Sequence, residues 1–380
     1  MMSLLAQTRK YQATLFSQGP GGSGRDSGTA AAGILPAMTT ADRLVGLDEI
    51  LAARDRIAGR VHRTPMLSSA TAARFIAEAG GPRLADARVH LKAEHLQKTG
   101  SFKPRGMVNR IAGLTADERA RGAITMSAGN AGQAYAWAGR EAGVPITVVM
   151  AAAANPTKVE ACRGYGAEVI LEGAHVGEAF AVLERIRDER GLTFVHPFED
   201  PAVIAGHGSV GLEILDDLPD VDVVVVGVGG GGLISGVAAA IKEQRPTVRI
   251  YGVEPLGSDA MTRAMAAGSP VTIQPVTVAD GLGAPFAGAL TLAMCRRYVD
   301  GIVLLDDATI LGGLRFALER MKQVLEPAGA AALAAVMSGR IPVADGESVC
   351  VVASGGNIDV GRLGELLAAA GAGCDGHELR

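Results

Sequence analysis

The chain has 380 residues, with 36 Lys+Arg against 40 Asp+Glu, a formal charge of −4, 48% hydrophobic and only 4% aromatic content, and 51 glycines. That hydrophobic share excludes a disordered chain, and glycine at about 13% against a usual share of about 7%, without a G-X-Y period, excludes collagen. The slightly acidic balance and the lack of any Lys/Arg stripe argue against nucleic-acid binding and leave small molecules as the expected partners.

Residues 1–40 contain Gly19-Pro20-Gly21-Gly22-Ser23-Gly24 and no sustained periodicity, so they are expected to form a flexible N-terminal extension, with Met38 a candidate natural start. Arg9 and Lys10 are not followed by a continuous apolar stretch, which argues against a secretory signal. Apolar runs such as 144–154 stop short of the roughly 18 to 20 residues a membrane span requires. Cys162, Cys295, Cys350 and Cys374 lie far apart and form neither a zinc pattern nor a disulfide framework, so reduced thiols in a cytoplasmic protein are expected.

From about residue 41 onward, short β-branched runs alternate with longer amphipathic stretches, the pattern of an α/β protein with parallel sheet. Expected strands lie at 123–126, 146–150, 168–171, 221–226, 248–253, 302–305 and 348–352. Expected helices lie at 131–142, 177–189, 234–242 and 308–324.

Three strand-then-turn loops and one lysine carry the chemistry. In Lys98-Thr99-Gly100-Ser101-Phe102-Lys103-Pro104-Arg105-Gly106, Ser101 is an expected N-cap and Pro104 an expected first-turn proline. That places Lys103 at a helix start, where the positive dipole end and a dry pocket both lower an ammonium pKa. The strand 123–126 leads into Ser127-Ala128-Gly129-Asn130-Ala131, and the strand 348–352 into Ser354-Gly355-Gly356-Asn357. Between them, the run 223–226 leads into Gly227-Val228-Gly229-Gly230-Gly231-Gly232, which satisfies G-x-G-x-x-G, with Glu254 ending the next strand. Taken literally this is a dinucleotide fingerprint, and a nicotinamide-dependent oxidoreductase is one reading. What the glycines themselves provide is narrower: backbone N–H groups free to converge on a phosphate at a helix N-terminus. In an open α/β sheet ligands sit beyond the carboxyl ends of strands, where all three loops are expected to meet.

The combination of Ser101-Phe102-Lys103-x-Arg105-Gly106, Ser127-Ala128-Gly129-Asn130, Gly229 to Gly232 with Leu233, and Ser354-Gly355-Gly356-Asn357 resembles the fold-type II pyridoxal-phosphate enzymes, most of all the serine/threonine dehydratases. Further stretches of the same kind are His196-Pro197-Phe198-Glu199-Asp200-Pro201, Ala279-Asp280-Gly281 and Glu326-Pro327-Ala328-Gly329-Ala330. The resemblance implies a tryptophan synthase beta-like fold of two open parallel-sheet α/β domains: a large domain from residues 41–114 and 196–380, and a small one inserted at 115–195. It implies pyridoxal 5'-phosphate held as a Schiff base on Lys103, which then removes the substrate's Cα proton. It places the cofactor phosphate on Gly229, Gly230, Gly231, Gly232 and Leu233, Asn130 on the ring hydroxyl, Phe102 against the ring, and Ser354 opposite the pyridine nitrogen. The substrate carboxylate falls to the loop of Ser127, Ala128, Gly129, Asn130 and Ala131. A neutral hydroxyl at Ser354 suits prompt loss of a β-hydroxyl from threonine or serine, giving a 2-oxo acid and ammonia; a homodimer is also implied.

Departures from the family pattern qualify this. Ala131 stands where many relatives carry histidine, leaving open other β-hydroxy amino acids such as 3-hydroxyaspartate or a phenylserine. Ala128 stands where related racemases carry a proton-donating serine, which disfavours racemisation. Some relatives bind a divalent cation through a glutamate and an aspartate about six residues later. Here Glu254 meets Ala260, with Asp259 one residue early, so a metal site is disfavoured and Glu254 reads equally well as a solvated strand-end carboxylate. His196 and His207 read as packing residues, Glu199 and Asp200 carry no assigned role, and the short stretch after Ser354 means that no regulatory domain is expected there.

Overall fold

Runs such as VVVVG at Val223–Gly227 are buried along their whole length, as central parallel strands covered on both faces must be. The computed structural model describes residues 44–371; the expected N-terminal extension and Cys374 lie outside the described residues. Ten strands are described: β1 Met66–Ser69, β2 Val89–Lys92, β3 Ala123–Met126, β4 Ile146–Met150, β5 Glu168–Leu171, β6 Thr193–Phe194, β7 Val223–Gly227, β8 Arg249–Pro255, β9 Gly301–Leu305 and β10 Val349–Val352. They form a six-stranded sheet in the order β1-β2-β10-β7-β8-β9 and a four-stranded sheet in the order β5-β4-β3-β6. Every pairing is parallel except that of β1 with β2.

All seven expected strands are present, and β1, β2 and β6 are additional. The sheet order explains why this matters for the site. Because β2, β10 and β7 are parallel neighbours, with Val352 opposite Lys92 and Val351 opposite Val225, their carboxyl ends open on one edge. The chain after β2 leads toward Lys103, the chain after β10 toward Ser354, and the chain after β7 into the glycine run.

Apolar clusters cover the large sheet on both faces. One joins Val223, Val225, Val349 and Val351 to the helix Pro327–Met337, and the other joins Val224, Val226, Cys350 and Val352 to the helix Gly232–Lys242. The core of the four-stranded sheet reaches out to Met107, Val108 and Ile111 on the helix Pro104–Ala112. The expected helix 308–324 is shorter than the periodicity indicated. An α-helix over Asp307–Phe316 widens into a π turn at Ala317–Met321 and stops at Lys322, whose φ is 58°. The Gln323 N–H reaches back to the Ala317 carbonyl at 3.0 Å, and the chain then leaves the helix to carry Glu326 inward. Cys162, Cys295 and Cys350 are free and buried, and no helix among the described residues is long and apolar enough to cross a membrane.

Candidate active site

Lys103 is the N-cap residue of the helix Pro104–Ala112, in helical geometry and with no side-chain cap. The expected cap, Ser101, does something else: its backbone is extended (φ −160°, ψ 164°) and bridges to Gly355. A capping serine has to sit directly before the first turn, and Phe102 and Lys103 intervene. The Ser101 hydroxyl is fully buried and has no hydrogen-bond partner among the described residues.

The Lys103 amine donates to the Pro197 carbonyl at 3.2 Å and stands 4.9 Å from the centroid of the Phe102 ring. Desolvation lowers its pKa to about 8, against the opposing pull of the Glu326 carboxyl. Two neutral imidazoles accompany it. His207 is buried with its ring edge-on to Phe102 at 4.7 Å, and burial pushes its pKa far down. His196 accepts the N–H groups of Phe198 and Glu199 on Nδ1, at 3.2 and 2.8 Å, and burial beside Lys103 takes its pKa down to about 3. Its one proton therefore sits on Nε2.

Four loops meet around this amine. The Phe102 N–H donates to the Ser354 carbonyl at 3.0 Å, and the Gly356 N–H to the Gly100 carbonyl at 2.9 Å. Asn357 Nδ2 donates to the Thr99 carbonyl at 2.7 Å and to Asn130 Oδ1 at 2.9 Å, and Asn130 Nδ2 donates to Glu326 Oε1 at 2.6 Å. Ser354 is 6% exposed, with its hydroxyl 3.5 Å from the Ala328 carbonyl. The glycine run is tied in through Phe198, next to Pro197: a side chain at Gly230 would collide with the Phe198 ring. Gly231 has φ 88° and begins the helix Gly232–Lys242 without a side-chain cap, so its first-turn N–H groups lack intrahelical partners. Leu233 is buried beneath it.

The second helix start is similar. Gly129 precedes the helix Asn130–Ala142, which no side chain caps, while the Gly129 N–H donates to Ser127 Oγ at 3.2 Å. A Cβ at Gly129 would meet open space, and Ala128 is exposed. Ala131 is 5% exposed within the apolar core, so it offers this loop its backbone rather than its methyl group.

An uncapped helix start lined by glycines, an orphaned buried hydroxyl and a desolvated amine suit a phosphorylated aldehyde with a polar ring. The residues present thus fit pyridoxal phosphate. A divalent cation does not fit at Glu254 and Asp259. Glu254 is completely buried, not solvated, and its carboxylate accepts from the Met261 N–H at 2.8 Å, the Thr262 N–H at 2.9 Å and the Thr262 hydroxyl at 2.6 Å. Asp259 pairs with Arg263 at 2.7 Å, and no group of three or more candidate ligands occurs among the described residues.

Comparison with known proteins decides the family. The model of the family described as pyridoxal-phosphate dependent enzyme matches residues 57–355. The chain belongs to this family. It is 42% identical over 325 residues to an L-threonine ammonia-lyase of Thermotoga maritima, covering 85% of this chain and 78% of the relative. Among solved structures it is similar to maize serine racemase (TM-score 0.79, 34% identity, 87% of this chain and 99% of that one). It is also similar to a threonine deaminase from T.th. (TM-score 0.74, 38% identity, 83% and 99%). The architecture is fold-type II and the cofactor is pyridoxal phosphate.

Glu326 has no local sequence signal beyond a family-like stretch, because its side-chain partner, Asn130, lies 196 residues away in the chain.

Proposed function

We propose that this protein is a pyridoxal-phosphate-dependent threonine/serine dehydratase that removes water and then ammonia from the amino acid, leaving a 2-oxo acid. The observation that carries the reading is the Lys103 amine, desolvated to a pKa of about 8 where four loops converge, in a chain of this family. The bound cofactor supplies an electron sink for the negative charge that develops at Cα. Lys103 would hold it through Nζ, the N–H groups from Gly229 to Leu233 would hold its phosphate, and Asn130, Phe102 and Ser354 would surround its ring. With an amine pKa near 8, Nζ is partly neutral at physiological pH and suited to take the Cα proton. The open helix start at 127–131 would receive the substrate carboxylate and orient Cα toward Nζ. Loss of the β-hydroxyl leaves an enamine, which becomes an imine and hydrolyses in water.

The likeness to a serine racemase gives the second reading. Ala128 counts against it, because an exposed methyl group in the substrate loop cannot donate a proton. We further place the enzyme in the cytoplasm, from its dispersed cysteines, unpaired among the described residues, and read it as a homodimer, from the family resemblance. Lys103→Ala is expected to abolish both the visible absorption of the bound cofactor and 2-oxo acid release from threonine and serine. Persistence of either would reject the assignment, and serine racemised faster than it is deaminated would favour the second reading.

A further inference from the structure

Glu326 precedes the helix Pro327–Met337, and its backbone N–H donates to the Gly355 carbonyl at 3.1 Å. The residue is only 4% exposed, and its carboxyl occupies a niche left by glycines: a Cβ at Gly355 would collide with Oε1, and one at Gly281 would touch it at 3.9 Å. The same added Cβ at Gly355 would stand 3.3 Å from Ser101 Cβ, so the unpartnered Ser101 borders this niche. Asn130 Nδ2, at 2.6 Å, is the one donor that the described residues give this carboxyl. A buried ionised carboxylate ordinarily accepts several hydrogen bonds. This one is under-supplied by the protein and lies beside the place where the cofactor ring is expected.

We propose that Glu326 is a positioning residue of the reaction, which orients the Asn130 amide toward the cofactor ring and, when ionised, supports the charge on the Lys103 amine. The inference rests on the reading of Lys103 as the cofactor-bearing lysine. An asparagine amide has two N–H donors and one acceptor oxygen. Asn357 takes the Asn130 oxygen and Glu326 takes one N–H, so the second N–H remains for a ring oxygen. The charged groups that face Glu326 from neighbouring elements are Asp280, Lys158 and Lys103. Burial raises the carboxyl's pKa to about 7, Asp280 adds to that, and the two lysines oppose it. The influence is mutual, since Glu326 pulls the Lys103 pKa upward against desolvation. The carboxyl is thus protonated on the acid side of neutrality, where its support for the amine is lost.

The test reads the amine directly. Only neutral Lys103 can attack the cofactor aldehyde, so the rate at which pyridoxal phosphate loads onto cofactor-free protein, followed by visible absorbance against pH, reports the amine's titration. The wild-type midpoint is expected at about 8. Glu326→Gln keeps an acceptor for Asn130 but removes the charge. It should lower that midpoint by roughly half a pH unit or more and remove the acid limb of kcat/KM near pH 7. Asp280→Asn leaves Glu326 in place and should move the same limb to lower pH, which keeps the test open even if the glutamine variant fails to fold. Loading midpoints that coincide in wild type and Glu326→Gln, or an acid limb unmoved by Asp280→Asn, would overturn the proposal. Failure of the Lys103 reading looks different, as loading that persists in Lys103→Ala.

Discussion

Arg105 is among the largest side chains this fold buries completely, and a buried guanidinium is tolerated only when every donor has a partner. Its Nε and one terminal nitrogen meet the two oxygens of Glu94 at 2.8 Å, and its terminal nitrogens meet Glu213 at 2.6 and 2.8 Å. Lys92 joins the same Glu213 at 2.8 Å and Asp217 at 3.1 Å. Because Arg105 lies two residues beyond Lys103, this network fixes the start of the helix whose N-cap is Lys103. Arg105→Met, which strands Glu94 and leaves Glu213 to Lys92 alone, is expected to cost about 3–5 kcal/mol in urea unfolding at neutral pH; Arg105→Lys, lacking the planar fork, should recover only part of that. Burial alone would raise the Glu213 pKa, but its Arg105 hydrogen bond and the charges of Arg105 and Lys92 hold it below the ordinary 4.5. A depressed carboxylate stabilises the fold above its unfolded pKa and loses that contribution as pH falls through the folded value. The network's share should therefore be complete above pH 4.5 and decline in more acidic solution, a decline that Arg105→Met should largely lack. The sequence made Lys103 and Arg105 conspicuous but not what holds them. Glu213 and Glu326 gain their meaning from partners 108 and 196 residues away, and Glu94 from a partner on a different element, none of which a local pattern records.

Strands were legible where the chain carries an apolar, β-branched run of its own, most plainly where burial on both faces writes it, as in β4, β7 and β10, but also in the half-covered β5 and β9. Met66–Ser69 reads MLSS, Val89–Lys92 reads VHLK and Thr193–Phe194 has two residues, so none carries a strand signal of its own. Their pairing partners define them. The glutamate ending β8 gives the same lesson in reverse, since its sequence context resembled a metal ligand or a wet strand end while its neighbours make it a helix cap. The helix Ala260–Ala267 begins at Asp259, which offers no side-chain cap, and the buried Glu254 carboxylate accepts the orphan N–H groups of Met261 and Thr262 from the adjacent strand. Glu254→Ala should cost about 1–2 kcal/mol in thermal or urea unfolding, as loss of a strong cap does. Chelation followed by readdition of magnesium or calcium should leave both the melting temperature and turnover unchanged. A rise in melting temperature with added cation would show that the ion binds the folded state after all.

Across the whole molecule, the two sheets are joined in chemically different ways. Away from the loops, the four-stranded sheet shares an apolar core with Met107, Val108 and Ile111, contacts that resist separation. At the site the connections are polar: Asn130 to Glu326, Asn130 to Asn357, and an ion pair between Lys158 and Asp280. All four strands of the smaller sheet fall within the segment 115–195, which is the segment we propose moves as the small domain, with the apolar side as hinge and the polar rim as the opening edge. The ion pair is the inexpensive part of this rim, because the Lys158 side chain is 22% and that of Asp280 59% exposed, and an ion pair so accessible to water contributes at most about 1 kcal/mol. Its loss would leave the two Asn130 hydrogen bonds to favour closure of the Ser127 loop over a bound carboxylate, so the pair tunes the balance without setting it alone. Lys158→Ala should then shift the balance toward the open form and raise KM for threonine by up to about fivefold, with kcat within about twofold of wild type. Rising salt should increase KM in the wild type and have a smaller effect in the variant, since the screened pair is already absent there. A large fall in kcat would instead place Lys158 at the chemistry, and a salt-independent, unchanged KM would mean that this pair does not hold the rim closed.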